Sequence, residues 1–369
     1  MSNAVPIRVA GAPRADFGRV ADVLETAITA GAFPGAVILV ARGGEVVWHA
    51  AFGSRSLEPD RMPMTPDMVF DLSSLTKPLA TTRLVLALVA HDRLRLDERA
   101  GNLFPEWRGI DRSSVTVTDL LEHASGLPAR LVDRPPQGRR EFEHDICSMP
   151  LEYAPRTTSL YSDLGFILLG FLVADREGRS LDEAFAAHAV RPEERGVMSF
   201  GPVEGDGLVA PTEPLDDDPR RGTRLAGQVH DAYAFLLGGV AGHAGLFGNA
   251  AGVGAYARVV LQALRGTRHP SPALIPPDLL RRSIRRSEVP SSSRALGWDT
   301  MRPTSSCGTR MSAAAFGHVG FTGTSLWIDP PNDRYFVLLT NRACGGGTLE
   351  KMWDLRRSFH DALAEVSGP

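Results

Sequence analysis

Gly35-Ala36-Val37-Ile38-Leu39-Val40-Ala41 runs through Arg42-Gly43-Gly44-Glu45 into Val46-Val47-Trp48-His49-Ala50-Ala51-Phe52-Gly53. The first seven residues contain no polar side chain, and β-branched residues recur through both halves. The paired glycines supply the positive φ angles that a tight hairpin needs, so the stretch reads as strand, turn, strand. Working outward, the same signature returns near the other end of the chain. Thr324-Ser325-Leu326-Trp327-Ile328-Asp329-Pro330 and Arg334-Tyr335-Phe336-Val337-Leu338-Leu339-Thr340 flank the turn residues Pro331, Asn332 and Asp333. A closing amphipathic helix is expected from about Leu349 to Val366. From about Ser73 to Leu280 the patterns are mostly helical. Strands therefore open and close the chain. This layout predicts an α/β (α+β) fold: one antiparallel sheet built from the N- and C-terminal segments, flanked by helices, with a mainly helical part inserted. It speaks against a doubly wound sheet, in which strands and helices alternate throughout.

The expected organisation is a single catalytic domain over 14–366. Its sheet part covers about 14–70 plus 290–366, and its helical part about 71–289. Leu79 to Ala100 reads as one buried helix, and Leu164 onward as another that stops near Gly178. Arg191 to Arg224, rich in Pro, Gly and Asp, reads as a long surface loop walling a substrate cleft.

Composition narrows the function. The chain has 369 residues, 43% hydrophobic and 22% charged, with a formal net charge of -3, which suits a protein with a buried core. Balanced charge offers no basic face for nucleic acid. The strongest apolar stretch, Phe166 to Ala174, is too short to cross a bilayer. Cys147, Cys307 and Cys344 form neither a disulfide framework nor a metal pair. With no basic-then-apolar leader in Met1 to Phe17, a cytoplasmic location is expected. Of 40 basic residues only Lys77 and Lys351 are lysines.

Three segments could carry chemistry. Ser74-Leu75-Thr76-Lys77 places a hydroxyl and an amine three residues apart. On a helix that is about 60° of rotation and about 4.5 Å of rise, close enough to share a proton. Ser needs a base to become a nucleophile. Lys can serve if burial lowers its pKa, whereas Arg stays charged. Pro78 sits comfortably only in a first helical turn, which puts Ser74 near a helix start with open N–H groups. Tyr161-Ser162-Asp163 precedes another helix, where a Tyr can shuttle a proton or simply pack while Asp163 caps. Gly317-His318-Val319-Gly320-Phe321-Thr322-Gly323 lies just before a strand and could present backbone N–H groups to a ligand. His123, His230, Asp231 and His243 lack metal-site spacing, and His123 and His243 read as structural. Arg281, Arg282, Arg285 and Arg286 read as a solvated helix face.

Together, in this order, these segments resemble the serine β-lactamase and penicillin-binding-protein superfamily, above all class C β-lactamases and the related serine esterases and D-aminopeptidases. GAVILVARGGEVVW, SSLTKPLATT, VTVTDLLEHASGLP, YSDLGFILLG, GGVAGHAGLFG and GHVGFTGTSLWIDP carry the likeness. The resemblance implies Ser74 as acylated nucleophile, Lys77 as its base partner and Tyr161 as the Tyr of a Tyr-x-Asn motif. His318-Val319-Gly320 stands where the family has Lys-Thr-Gly, and the N–H groups of Ser74 and Phe321 would form the oxyanion hole. Two departures follow. Asp163 replaces an Asn, so it can only accept hydrogen bonds, and its charge favours a charged Lys77, shifting proton acceptance to Tyr161. His318 replaces a Lys, removing a fixed positive charge. The expectation is a serine hydrolase acting through an acyl-enzyme on a small ester, without metal or cofactor. Its partner would be a small acyl substrate, with no nucleic acid or membrane involved. A β-lactamase or D-amino-acid peptidase is the alternative, and a non-catalytic acyl-binding sensor the second.

Overall fold

The computed structural model describes residues 17–56, 61–131, 136–188, 198–204, 207–216, 218–266 and 275–366. Helix α1 (Gly18–Thr29) leads into strands β1 (Gly35–Arg42) and β2 (Glu45–Gly53). The hairpin between them turns on Gly43 and Gly44, with φ of 61° and 82°. The C-terminal strands are β6 (Asp299–Thr300), β7 (Phe316–Val319), β8 (Ser325–Asp329) and β9 (Arg334–Thr340), followed by a helix, Leu349–Val366. The six strands form one antiparallel sheet in the order β2-β1-β9-β8-β7-β6. Pairing of β1 with β9, Ala36 opposite Thr340 through Arg42 opposite Arg334, joins the two ends of the chain.

The unbroken apolar run of β1 is explained by burial on both faces. Val37, Leu39 and Ala41 enter one core and Ala36, Ile38 and Val40 the other. A strand with period-2 side chains needs no polar residue when both faces are covered. On one face lie α1 and the last helix; on the other lies the helix Ala250–Leu264.

The inserted elements begin with β3 (Phe70–Asp71), a 3-10 turn at Ser73–Leu75 and a π-helical turn at Lys77–Thr82. Helix α2 (Arg83–Ala90) follows. The expected helix to Ala100 stops here. Asp92 takes φ 55°, and the amides of Asp92 and Arg93 return to the carbonyls of Val89 and Leu88, a Schellman stop. Three short or amphipathic helices follow: α3 (Ala100–Leu103), α4 (Val117–Leu121) and α5 (Arg139–Ser148). Helix α6 (Asp163–Glu177) ends at Gly178 in the left-handed conformation. Its mainly apolar surface is buried nearly all round.

The expected long loop at Arg191 to Arg224 carries a strand, β4 (Met198–Phe200). It pairs with β5 (Leu246–Gly248), which also pairs with β3, making a second, three-stranded sheet. Alternation of Met198 and Phe200, both buried, about exposed Ser199 was the local signal. The part of that loop at 191–197, 205–206 and 217 lies outside the described residues.

Candidate active site

Four chain segments meet beside the end of β7: the turn at 71–77, the start of α6, the loop at 241–245 and the β7–β8 turn. The first is held in an unusual backbone. Ser73 has φ 50°, and its N–H is bonded to Asp71 Oδ1 at 2.8 Å. Asp71 Oδ2 accepts the His230 N–H at 2.6 Å. Burial pushes the Asp71 carboxyl up to about 6, against the pull of those two N–H donors. A non-glycine residue in this conformation costs about 1–3 kcal/mol and persists only where surroundings enforce it. The result leaves Ser74 half-buried between buried Ser73 and Leu75.

Lys77 has no solvent exposure. Its three ammonium protons have three acceptors: Ser74 Oγ at 3.0 Å, Asp163 Oδ1 at 2.8 Å and the His243 carbonyl at 3.1 Å. Burial would push its pKa down. Asp163, and then Tyr161, act in the opposite direction through charge and hydrogen bonding, and the net shift is upward. The resting side chain is therefore an ammonium, not the neutral amine that burial alone would give. The His243 carbonyl reaches Lys77 because its loop lies hard against α6. A Cβ on Gly242 would stand 2.0 Å from the Phe166 carbonyl. Thr81 Oγ1 fixes the same loop by donating to Gly242 O at 2.6 Å.

Tyr161 lies immediately before α6, half-buried. Lys77 Nζ stands 4.8 Å and Arg294 Cζ 5.0 Å from its ring centroid. The His123 ring packs on it at 4.6 Å and His318 at 6.0 Å. Both imidazoles are neutral. Burial, with Arg294 and Lys77 adding repulsion, holds each pKa well below the ordinary range. His123 Nδ1 accepts the Ser162 N–H at 3.1 Å, which assigns its proton to Nε2. His318 Nδ1 lies 2.9 Å from its neighbour's carbonyl, Val319 O, which assigns the proton to Nδ1 and leaves Nε2 a buried acceptor.

Asp163 Oδ2 pairs with Arg130 at 3.2 Å, Arg130 with Asp231 at 3.1 Å, and Asp231 with His243 Nε2 at 2.8 Å. His243 and Arg130 overcome burial and hold the Asp231 carboxyl well below the carboxylate range. Asp163, Asp231 and His243 offer ligand atoms within 4.8 Å of one another, the spacing of a metal set. Two cations are threaded through that set, however, and each Asp163 oxygen already holds one of them.

On the strand side, Gly320 is required by close approach. A Cβ there would stand 2.1 Å from Thr324 Oγ1 and 2.7 Å from Leu72 O. This contact brings Phe321 N–H to Ser73 Oγ at 3.2 Å. Of the two expected oxyanion donors, the Ser74 N–H has no partner among the described residues, while the Phe321 N–H is covered by the Ser73 hydroxyl.

The fold thus gathers all seven expected residues, Ser74, Lys77, Tyr161, Asp163, His318, Gly320 and Phe321, into one region. It adds Arg294, Arg130, Asp231, His243 and His123, none of which the sequence reading placed in the site. His123 and His243 stood in small-residue segments that carried the family likeness, a signal that could have promoted them. Arg294 and Arg130 carry no local signal among 38 arginines.

An antiparallel sheet flanked by helices with this cluster at its edge defines a class, the serine β-lactamase and penicillin-binding-protein-like superfamily of hydrolases. Within it the chain belongs to the family described as Beta-lactamase, which matches residues 20–361. A protein of Escherichia coli (strain K12) named "Putative D-alanyl-D-alanine carboxypeptidase" is 29% identical over 84% of this chain and 79% of its own length. The N-acetylmuramyl-L-alanine amidase of Bacillus subtilis (strain 168) is 29% identical over 92% of this chain and 85% of its own. Among solved structures, "EstCE1, a hydrolase with promiscuous acyltransferase activity" covers 94% of this chain and 98% of its own, with a TM-score of 0.73 at 20% identity. No helix among the described residues is long and apolar enough to cross a membrane.

Proposed function

We propose that the chain is a serine hydrolase that opens small acyl esters through an acyl-enzyme on Ser74. The observation that carries this reading is the Ser74 Oγ to Lys77 Nζ contact of 3.0 Å, made by a fully buried lysine beside Tyr161. Ser74 Oγ attacks the carbonyl carbon and its proton passes to the Lys77/Tyr161 pair, in which Tyr161 acts as a phenolate beside the Lys77 ammonium and becomes the phenol. Lys77, already an ammonium, stabilises the charge passing between the two oxygens. The carbonyl oxygen takes the Ser74 N–H and, once the Ser73 hydroxyl rotates away, the Phe321 N–H. Tyr161 then protonates the leaving alkoxide, and water repeats the sequence to release the acid. Esters are favoured over β-lactams because neutral His318 offers no fixed charge to a carboxylate at the Lys-Thr-Gly position. Three cysteines, buried and outside any disulfide, suit a cytoplasmic setting.

A second reading, a peptidase or amidase for substrates carrying a carboxylate, is favoured by one observation. The half-buried Arg294 guanidinium stands against Tyr161 with no side-chain hydrogen bond or ion pair among the described residues. The test is intact mass after incubation with a fluorophosphonate, nitrophenyl esters and a chromogenic cephalosporin, on wild type and Ser74→Ala. Phosphonylation lost in Ser74→Ala, with ester turnover faster than cephalosporin turnover, is the expected result. Labelling that persists in Ser74→Ala overturns the nucleophile. Faster cephalosporin turnover reverses the order of the two readings, and acylation that never releases product makes the chain a sensor.

A further inference from the structure

Behind the β7–β8 turn, on the side away from Ser74, lie two arginines that the scheme above does not use. Arg356, on the helix Leu349–Val366, is 4% exposed, and Arg342, just past β9, is 6% exposed. Neither has a carboxylate partner among the described residues; the hydrogen bonds they make go to backbone carbonyls, and Arg356 Nε is buried without a partner. Arg356 Nη2 donates to Gly320 O and Thr324 O, both at 2.8 Å. Arg342 Nε donates to Phe321 O at 2.7 Å and Nη2 to the same oxygen, while Nη1 donates to Gly347 O at 2.7 Å. The Arg342 guanidinium also lies 4.4 Å over the Phe321 ring.

Two buried guanidinium groups close enough to repel, without a counter-ion, are an expensive arrangement. Burial pushes Arg342 down to about 10, and burial together with Arg342 pushes Arg356 down to about 9, so both are still charged at neutral pH. A purely structural brace could use neutral amides. The particular carbonyls matter. Gly320 C=O and Phe321 N–H are the two ends of one peptide unit. A cation donating to that oxygen draws electron density from the nitrogen and makes the N–H a stronger donor. The second cation fixes the next carbonyl, so the N–H between them cannot swing.

We infer that Arg342 and Arg356 are positioning residues that hold and polarise the Gly320–Phe321 peptide, so that its N–H can stabilise an oxyanion on Ser74-bound acyl groups. This rests on the hydrolase reading above. The two cations supply fixed positive potential behind the hole, which costs no reorganisation when charge develops in front of it.

The test separates the two ideas. Selective labelling with carbonyl-13C Gly and 15N Phe reports three Gly-Phe peptides, at 165–166, 170–171 and 320–321. The first two lie in α6 and serve as internal controls. In Arg356→Gln the Phe321 amide proton is expected to move upfield while the two α6 signals stay. Fluorophosphonate labelling should slow at least about tenfold, short of the roughly 100-fold or more that outright loss of an oxyanion donor costs. Ester kcat should fall with KM unchanged. Arg356→Lys, which keeps the charge, should restore part of both readouts. If Arg356→Gln does not fold, Arg342→Gln and Arg342→Lys face the same two measurements. A stationary Phe321 signal, or labelling at the wild-type rate, overturns the inference. A wild-type chain that takes no fluorophosphonate overturns the hydrolase reading instead, and the amide signal still decides the clamp.

Discussion

Asp163→Asn restores the residue that a Tyr-x-Asn motif would carry, and it removes the charge partner of a lysine with no exposure. At 2.8 Å and an effective dielectric of 20, the gross attraction between Lys77 and Asp163 is about 6 kcal/mol. The net loss is smaller, because Lys77 keeps Ser74 Oγ and the His243 carbonyl as acceptors. The variant also has an escape, since the amine can shed its proton. Doing so costs about 1.4 kcal/mol per pH unit below 10.5, so at pH 7 the escape caps the penalty near 5 kcal/mol. We expect a destabilisation of about 3 kcal/mol at pH 7, read by equilibrium urea unfolding, or about 4 °C in Tm for a chain of this length. The sign with pH follows from linkage. In the wild type the folded pKa of Lys77 is raised. Its stabilising contribution is therefore complete below the unfolded value and fades only as pH climbs through the raised one. In the variant the folded pKa drops, the unfolded state holds more protons, and stability recovers as pH rises towards 10.5. The gap between the two proteins should narrow by about 2 kcal/mol between pH 7 and pH 10. A gap below about 0.5 kcal/mol at pH 7, or one that does not change with pH, would refute the ammonium assignment.

Tyr161→Phe keeps the ring against His123 and loses only the hydroxyl, so kcat should fall about 100- to 10,000-fold with little change in Tm, as expected for loss of a proton carrier. Turnover within tenfold of wild type would give the acceptor role to another group. Lys77→Arg preserves charge but not the compact ammonium that meets three acceptors, so fluorophosphonate labelling should drop at least about 100-fold; near-normal labelling would make Lys77 dispensable. His123 and His318 are neutral at pH 7 with depressed folded values, so protonating them opposes folding. Stability should accordingly decline as pH drops below about 6.5, and His123→Gln with His318→Gln should flatten that decline. His318→Lys returns a fixed charge to the β7 edge and should raise cephalosporin turnover relative to ester turnover; an unchanged ratio would mean that His318 does not set substrate charge.

Legibility differed by the range of the interaction. The β1–β2 hairpin could be read directly, because an unbroken apolar run, β-branching and a Gly43-Gly44 turn are local properties of the chain. The stop of α6 at Gly178 was equally local. Helix α2 was overextended because its stop depends on Asp92 adopting a left-handed angle, which a non-glycine residue does not advertise. Strand β4 was missed because three residues give too short an alternation. In the site, Ser74 and Lys77 were visible because three residues on one turn fix their separation. Arg294, Arg130 and Asp231 were not, since each arrives from a distant segment.

The lysine count shows where sequence ends and structure begins. Composition alone made Lys77 and Lys351 conspicuous, and the apolar run around Lys77 implied burial of the first. Lys351 is exposed on the last helix, and among the described residues its ammonium reaches only the Ala30 carbonyl, at 3.5 Å. What the sequence could not determine was the protonation state of Lys77. Burial and a nearby carboxylate pull a pKa in opposite directions, and the outcome depends on a distance between residues 86 positions apart. Only the packing of α6 against the 73–82 turns sets that distance. The same holds for the oxyanion peptide: Gly320-Phe321 could be picked out from the chain, but the two cations behind it come from just past β9 and from the last helix.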